Sequence, residues 1–144
     1  MVTIRPVRPE DRDAVHALLA DLGYPKVEAK AFLRVFADIL VAEYRSLVVA
    51  EADGKILGFL CCTRQPTLRL GGDQLLIDEL VVADAARGKG TGKALLAWAR
   101  DHAKGLGAKR IELHTSRKRD SYTRGFYKKQ GFAEADSALF RIEL

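Results

Sequence analysis

Hydrophobic and polar positions along this chain follow two alternating periods, and the switches between them divide it into helices and strands. Val2–Arg5 is short and β-prone. After Pro9, the acidic cluster Glu10, Asp11 and Asp13 marks a helix start, and Ala14, Val15, Leu18, Leu19 and Leu22 recur at helical spacing up to Gly23. Pro25 restarts the chain, and Phe32, Phe36, Ile39 and Leu40 predict an amphipathic helix over Val27–Val41. The period then changes. Ser46–Glu51 and Lys55–Thr63 are β-rich runs joined by Ala52-Asp53-Gly54, whose Asp-Gly pair has the turn chemistry of a hairpin.

Pro66 and Gly71-Gly72 punctuate a loop, and Gln74–Val82 reads as a third strand of this run. A glycine-rich turn leads into a long helix, Thr91–Leu106, that ends at Gly107. Arg110–Thr115 is a strand, and Ser121–Gln130 a helix stopped by Gly131. Short strands are expected near Phe132–Ala135 and Leu139–Leu144. The order β-α-α-β-β-β-α-β-α-β-β implies an α/β (α+β) fold, a mixed central sheet flanked by helices. One domain over residues 1–144 is expected, since this length supports one core and is too short for two.

Composition narrows the class. With 48% hydrophobic and 30% charged residues the chain is globular, which excludes disorder. Apolar runs stop well short of the roughly 20 residues a membrane span needs, and Met1–Pro9 lacks the apolar core of a signal peptide. Cys61 and Cys62 are adjacent and alone, so neither a disulfide framework nor a four-ligand zinc site is expected, which suits a reducing cytoplasm. The net charge of +5 divides unevenly. Residues 1–86 hold 10 basic and 13 acidic side chains, and residues 87–144 hold 14 and 6. A basic second half suggests a partner that carries phosphate.

That charge begins at Arg87-Gly88-Lys89-Gly90-Thr91-Gly92-Lys93, between a predicted strand and a predicted helix. Backbone N–H groups and the positive end of a helix hold phosphate oxygens at such a junction, and glycines permit close approach and positive φ. It is not a Walker A loop, because Arg87 stands where that loop needs its first glycine and Ala94 where it needs Ser or Thr. A dinucleotide fingerprint fails at Lys93, where its third glycine belongs, and the preceding hairpin argues against a dehydrogenase.

At these residues the chain resembles the GCN5-related N-acetyltransferase (GNAT) superfamily. Arg87, Gly90 and Gly92 match that family's acetyl-CoA signature of Arg or Gln, two residues, Gly, one residue, and Gly or Ala. Leu80-Val81-Val82 upstream resembles its strand-loop junction, and Phe126-Tyr127-Lys128-Lys129-Gln130-Gly131-Phe132 its second conserved block. Asp84 stands where many relatives have Pro, Thr91 where they have Ile or Val, and Asp120 and Thr123 where they carry Asn and Ala. The resemblance implies acetyl-CoA as co-substrate. Its pyrophosphate would sit on the amides of Gly88–Lys93, and its pantetheine arm would pair with Leu80, Val81 and Val82 where Gln74–Val82 and Arg110–Thr115 splay apart.

An amine nucleophile is mostly protonated at pH 7, with a pKa near ~10, so acyl transfer needs a base and a proton for the departing thiolate. Asp78 and Glu79 are the candidate bases. In a regular strand they face opposite ways unless a bulge re-aims them. Glu79 is preferred because many relatives carry an acid there, whereas Asp78 matches the acid of some polyamine-directed relatives; both could equally be solvent-facing strand carboxylates. The family block makes Tyr127 the expected general acid. His114 could contact substrate or be structural, and His16 and His102 read as helix-surface residues. The run Arg117-Lys118-Arg119, with Arg124, Lys128 and Lys129, has no aromatic interleaving of an RNA-stacking kind. Neither cysteine has a companion base.

The expected function is acetyl transfer from acetyl-CoA to a primary amine by direct attack, without a metal. A non-catalytic acyl-CoA-binding or nucleic-acid-binding regulatory module is the alternative. The acceptor pattern resembles small-molecule acetyltransferases, those for aminoalkylphosphonates included, and also occurs among protein-directed relatives. No membrane partner is expected, nucleic acid is disfavoured, and the resemblance implies that a homodimer can form.

Overall fold

The computed structural model describes residues 1–22 and 27–144, so the helix stop at Gly23 and the restart at Pro25 lie outside the described residues. The chain forms two compact units, Met1–His114 and Thr115–Leu144. The first unit holds β1 (Thr3–Pro6), α1 (Arg12–Ala20), α2 (Ala29–Val41), β2 (Arg45–Ala52), β3 (Lys55–Thr67), β4 (Gly72–Val82), α3 (Thr91–Gly105) and β5 (Arg110–Leu113). Its sheet runs β1-β2-β3-β4-β5, antiparallel except for the parallel β4–β5 pair, which α3 connects.

Alternation along the strands separates two cores. Leu47, Val49, Phe59, Cys61 and Val81 point to one face, where they pack against Val15 and Leu18 of α1 and Phe32 and Phe36 of α2. Val48, Ala50, Leu60, Cys62, Leu75 and Ile77 point to the other, together with the buried Leu95, Leu96, Ala99 and Ala103 of α3. Gly58 belongs to this second face. A Cβ there would meet the Val81 carbonyl oxygen at 2.6 Å and Leu95 Cδ1 at 3.4 Å, so a side chain would force α3 and the ladder apart.

The Asp53-Gly54 hairpin forms as predicted, with both residues at positive φ, 51° and 72°. The predicted loop at Pro66 is instead strand, because β3 continues to Thr67 opposite Gly72. Pairing with β2 ends at Thr63, so Pro66 has a neighbour strand on one side only, where its missing N–H is tolerated.

The second unit holds α4 (Asp120–Thr123) and α5 (Phe126–Lys129). These two single turns replace the predicted continuous helix Ser121–Gln130, and Gly125 between them adopts φ +67°, which no helix accommodates. The predicted strands at Phe132–Ala135 and Leu139–Leu144 are absent. Leu139, Phe140, Ile142 and Leu144 lie exposed, since alternation makes a strand only where another strand accepts its hydrogen bonds.

Candidate active site

The parallel pair β4–β5 covers only Gln74–Ile77 against Arg110–Leu113. β5 ends there, while β4 continues to Val82 with β3 on its other side. From Asp78 to Val82, including Leu80, Val81 and Val82, one edge of β4 is outside the β5 ladder. β5 stops two residues short of the predicted Thr115, so the ladder ends just before the acid pair, and a splay between the two strands remains an expectation.

A β-bulge lies at the same point. Cys62 pairs with Ile77 and Cys61 with Glu79, so Asp78 is the extra residue on β4. Cys61 and Thr63 share a face, and Glu79 lies directly opposite Cys61. Asp78 reaches the same face, because Thr63 Oγ1 donates a 2.6 Å hydrogen bond to its Oδ2. The bulge therefore puts both carboxylates on the α1/α2 side, which regular alternation forbids.

Their surroundings differ. Both acids are exposed as residues, but the Asp78 carboxylate is held by Thr63 and has Arg45 Nη2 3.6 Å from its Oδ2. Glu79 is exposed as a residue, yet partial desolvation lifts its carboxyl above the ordinary range; the Asp78 charge adds to this and Arg45 opposes it. Cys61 and Cys62 are free and buried, and burial pushes their thiols up to about 11 and about 12, which removes them as nucleophiles at neutral pH. Farther along the same face, Gln74 donates to Gln65 Oε1 at 2.8 Å and accepts from Arg110 Nε at 2.9 Å. Arg110 also pairs with Glu112 at 2.6 Å.

Sequence reasoning passed over Arg45 and Thr63. Counting pairs back from the Asp53-Gly54 turn comes within one residue of them: it sets Arg45 opposite Cys62, and a register shift at Ala50/Glu51 moves its partner to Thr63.

The glycine-rich turn follows a short 3-10 turn, Asp84–Ala86, and ends in α3. Gly88 and Gly90 adopt φ +75° and +86°, and neither would meet an atom within 4 Å if given a Cβ. The conformation itself requires glycine, and the space above the loop is open. Gly90 caps α3, its carbonyl accepting from Ala94 N at 2.9 Å. The amides of Thr91, Gly92 and Lys93 fall in the first turn, where no earlier carbonyl exists for them. Arg87 pairs with Asp84 at 3.0 Å, both exposed, and Lys89 and Lys93 are exposed as well. Open amides, a helix N-terminus and three cations fit a pyrophosphate. Thr91 itself is 1% exposed, and its buried Oγ1 has no hydrogen-bond partner among the described residues.

In the second unit, Tyr127 is half-buried and packs edge-on against Phe126 and Phe132 at 5.1 and 6.1 Å between ring centres. Burial raises its phenol above the usual value, partly offset by Arg119 and Arg124. The basic run is engaged locally. Arg117 reaches Glu134 at 3.4 Å, Tyr122 donates to the same oxygen at 2.9 Å, and Arg124 pairs with Asp120 at 3.0 Å. His114 lies exposed just past β5. His16 is half-buried, its Nε2 lying 2.8 Å from the Val27 carbonyl and its ring stacked on Phe32, so it ties α1 to the approach to α2. His102 stacks on Trp98 within α3.

A mixed sheet whose one parallel pair ends beside an acid pair, with a glycine-rich turn opening α3, is the arrangement that comparison with known proteins assigns to a class. The model of the acetyltransferase (GNAT) family matches residues 12–132. The aminoalkylphosphonate N-acetyltransferase of Salmonella typhimurium is 33% identical over 132 residues, covering 92% of this chain and 85% of that protein. The crystal structure of a transcriptional regulator from Bacillus halodurans C-125 superposes with a TM-score of 0.90 at 29% identity, over 100% of both chains. An aminoglycoside N-acetyltransferase, AAC(6')-Iy, solved in complex with CoA, shares the fold at a TM-score of 0.85 and 20% identity, over 99% of this chain and 95% of that one. The chain belongs to the acetyltransferase (GNAT) family and is an N-acetyltransferase. No described helix is long and apolar enough to cross a membrane.

Proposed function

We propose that this enzyme moves the acetyl group of acetyl-CoA to the primary amine of a small molecule by direct attack, with Glu79 as the base. The bulge at Asp78 carries the reading, because it brings two carboxylates to one face at the point where β4 leaves β5. Asp78 is engaged by Thr63 and faces Arg45, so its role is to orient, and Glu79 with its raised carboxyl is the better acceptor of a proton near neutral pH. The relative that acts on aminoalkylphosphonates supports a small acceptor over a protein one.

In the reaction the amine loses a proton to Glu79, directly or through water, and its nitrogen forms a bond to the thioester carbon. The C–S bond then breaks and the sulfur takes a proton. Backbone groups at Leu80–Val82 would align the pantetheine arm, and the amides of Gly88–Lys93 with Arg87, Lys89 and Lys93 would hold the pyrophosphate. Tyr127 is proposed to protonate the sulfur, and its raised phenol supports this by keeping the proton on at neutral pH. Solvent restores the proton on Tyr127 and removes the one on Glu79.

Thiol release over a panel of small amines, together with equilibrium binding of CoA, tests the reading. Micromolar to millimolar CoA binding with acceptor-dependent thiol release is expected. An enzyme that binds CoA yet acetylates only protein lysines would overturn the small-molecule acceptor. Tyr127→Phe should lower turnover about tenfold or more, and full activity of that variant across pH 6–9 would remove its role as acid.

A further inference from the structure

Arg45 stands beside the acid pair, on the acid-bearing face, and the reaction above leaves it without a task. A guanidinium offers five N–H donors. Those of Arg45 meet the Cys61 sulfur at 3.5 Å and a carboxylate oxygen of Asp78 at 3.6 Å, a weak acceptor and a separation beyond hydrogen-bond range. Its Nε is buried with no acceptor among the described residues.

Three other arginines of the first unit are better supplied. Arg5 reaches carboxylate oxygens of Asp11 and Glu51 at 2.8 to 3.4 Å, Arg64 reaches Asp73 at 3.0 Å, and Arg110 holds Gln74 and Glu112. Arg45 still presents a third of its side-chain surface to solvent. It is a cation short of oxygen ligands, at the rim of the face that carries Asp78 and Glu79.

We infer that Arg45 receives an oxyanion of the acetyl acceptor, so that the substrate class is an amine that also bears a phosphonate, phosphate or carboxylate group. This rests on the proposed acetyl transfer at Glu79. Its side chain is a third exposed, and a guanidinium end carries paired N–H groups that match two oxygens of such an anion. The ammonium end is drawn to Glu79 and Asp78. Arg45 and Asp78 are only 3.6 Å apart, so the two charges of the acceptor are held close together, which suits a short linker between nitrogen and anion. Bound this way the anion gives the Nη end of Arg45 oxygen ligands in place of the weak contacts to Cys61 and Asp78, and screens it from Asp78.

The test compares ethylamine with aminoethylphosphonate, phosphoethanolamine and β-alanine, in wild-type enzyme and in Arg45→Met and Arg45→Lys. Wild-type kcat/KM should favour at least one anion-bearing amine over ethylamine by tenfold or more, and added salt should erode that preference. The ranking of the three identifies the anion. In Arg45→Met the ratio between the best acceptor and ethylamine should collapse at least tenfold, whatever happens to the common rate, and Arg45→Lys should restore part of it.

A wild-type ratio near one would overturn the inference while leaving acetyl transfer intact, and so would a ratio unchanged in Arg45→Met. Titration calorimetry of the same amines into wild-type enzyme saturated with CoA reads the preference independently of turnover and of variant folding. Equal affinity for ethylamine and all three anionic amines would overturn the inference. Preference in binding without acetylation of any amine would sink the proposed reaction and support the anion site.

Discussion

Two clusters in the first unit have the same ingredients, an arginine facing two carboxylates across neighbouring segments, and they are built to opposite ends. Arg5 is enclosed, with 13% of its side chain exposed, and its donors meet Asp11 and Glu51 oxygens at short range. Asp11 also accepts from the Arg8 amide at 2.7 Å. Every charge there has a partner, so the cluster ties β1 to the start of α1 and to the end of β2. Arg45 is under-bonded beside acids that a bulge has turned toward it. The two carboxyl groups shift accordingly: hydrogen bonds from Arg5 hold Asp11 below the ordinary range, while desolvation lifts Glu79 above it. The first cluster is satisfied within the fold, and the second leaves donors open beside the proposed acceptor site.

The largest effect expected from breaking this contrast is on rate. Glu79→Gln should lower kcat/KM roughly a hundredfold to ten-thousandfold, with a smaller loss for Asp78→Asn, as measured by thiol release. Wild-type rates in both variants would mean that neither carboxylate is the base. Next comes stability. Asp11→Ala leaves the mostly covered Arg5 guanidinium bound to Glu51 but without its closest carboxylate partner and should cost about 2 kcal/mol in denaturant unfolding, with the pH dependence of turnover unchanged.

A third effect is smaller and opposite in sign. Thr91→Val removes a buried hydroxyl that has no partner among the described residues and should stabilise the fold by about 1 kcal/mol, measured in the same way. Destabilisation would show that the hydroxyl has a use in the loop.

The smallest effect separates the clusters by pH. Because the folded-state pKa of Asp11 is lowered, its contribution to stability is present above its unfolded value, near 3.8, and is lost as pH falls through the folded value. The penalty in Asp11→Asn should therefore shrink in acid. Glu79 has the reverse linkage: its folded pKa is raised, so stability declines as pH rises from the unfolded value near 4.5 through the folded one. Glu79→Gln should accordingly melt slightly above wild type at neutral pH and match it in acid.

These contrasts also show what the sequence could disclose. The glycine-rich loop and the Asp53-Gly54 turn were legible because positive φ, a helix start and local charge are written within a few consecutive residues. The acid pair was legible as two candidates facing opposite ways. Its real arrangement depends on which residue of β3 lies opposite which of β4, and that register is set by long-range packing. Arg45 stayed hidden for the same reason, since the groups that define it, Cys61 and Asp78, come from two other strands. At the end of the chain, the alternating apolar residues of Leu139–Leu144 state a propensity that finds no ladder among the described residues.

The bulge has one more consequence. Because Ile77 and Glu79 already face consecutive residues of β3, deleting Asp78 would leave an unbroken ladder with every other pairing in place. The acid pair is thus a module one residue long, inserted into a strand that is complete without it. Gaining or losing that residue changes the acid content of the site by a single insertion or deletion, so the chemistry of this sheet can be rewritten by chain length at one point while the core on both faces stays as it is.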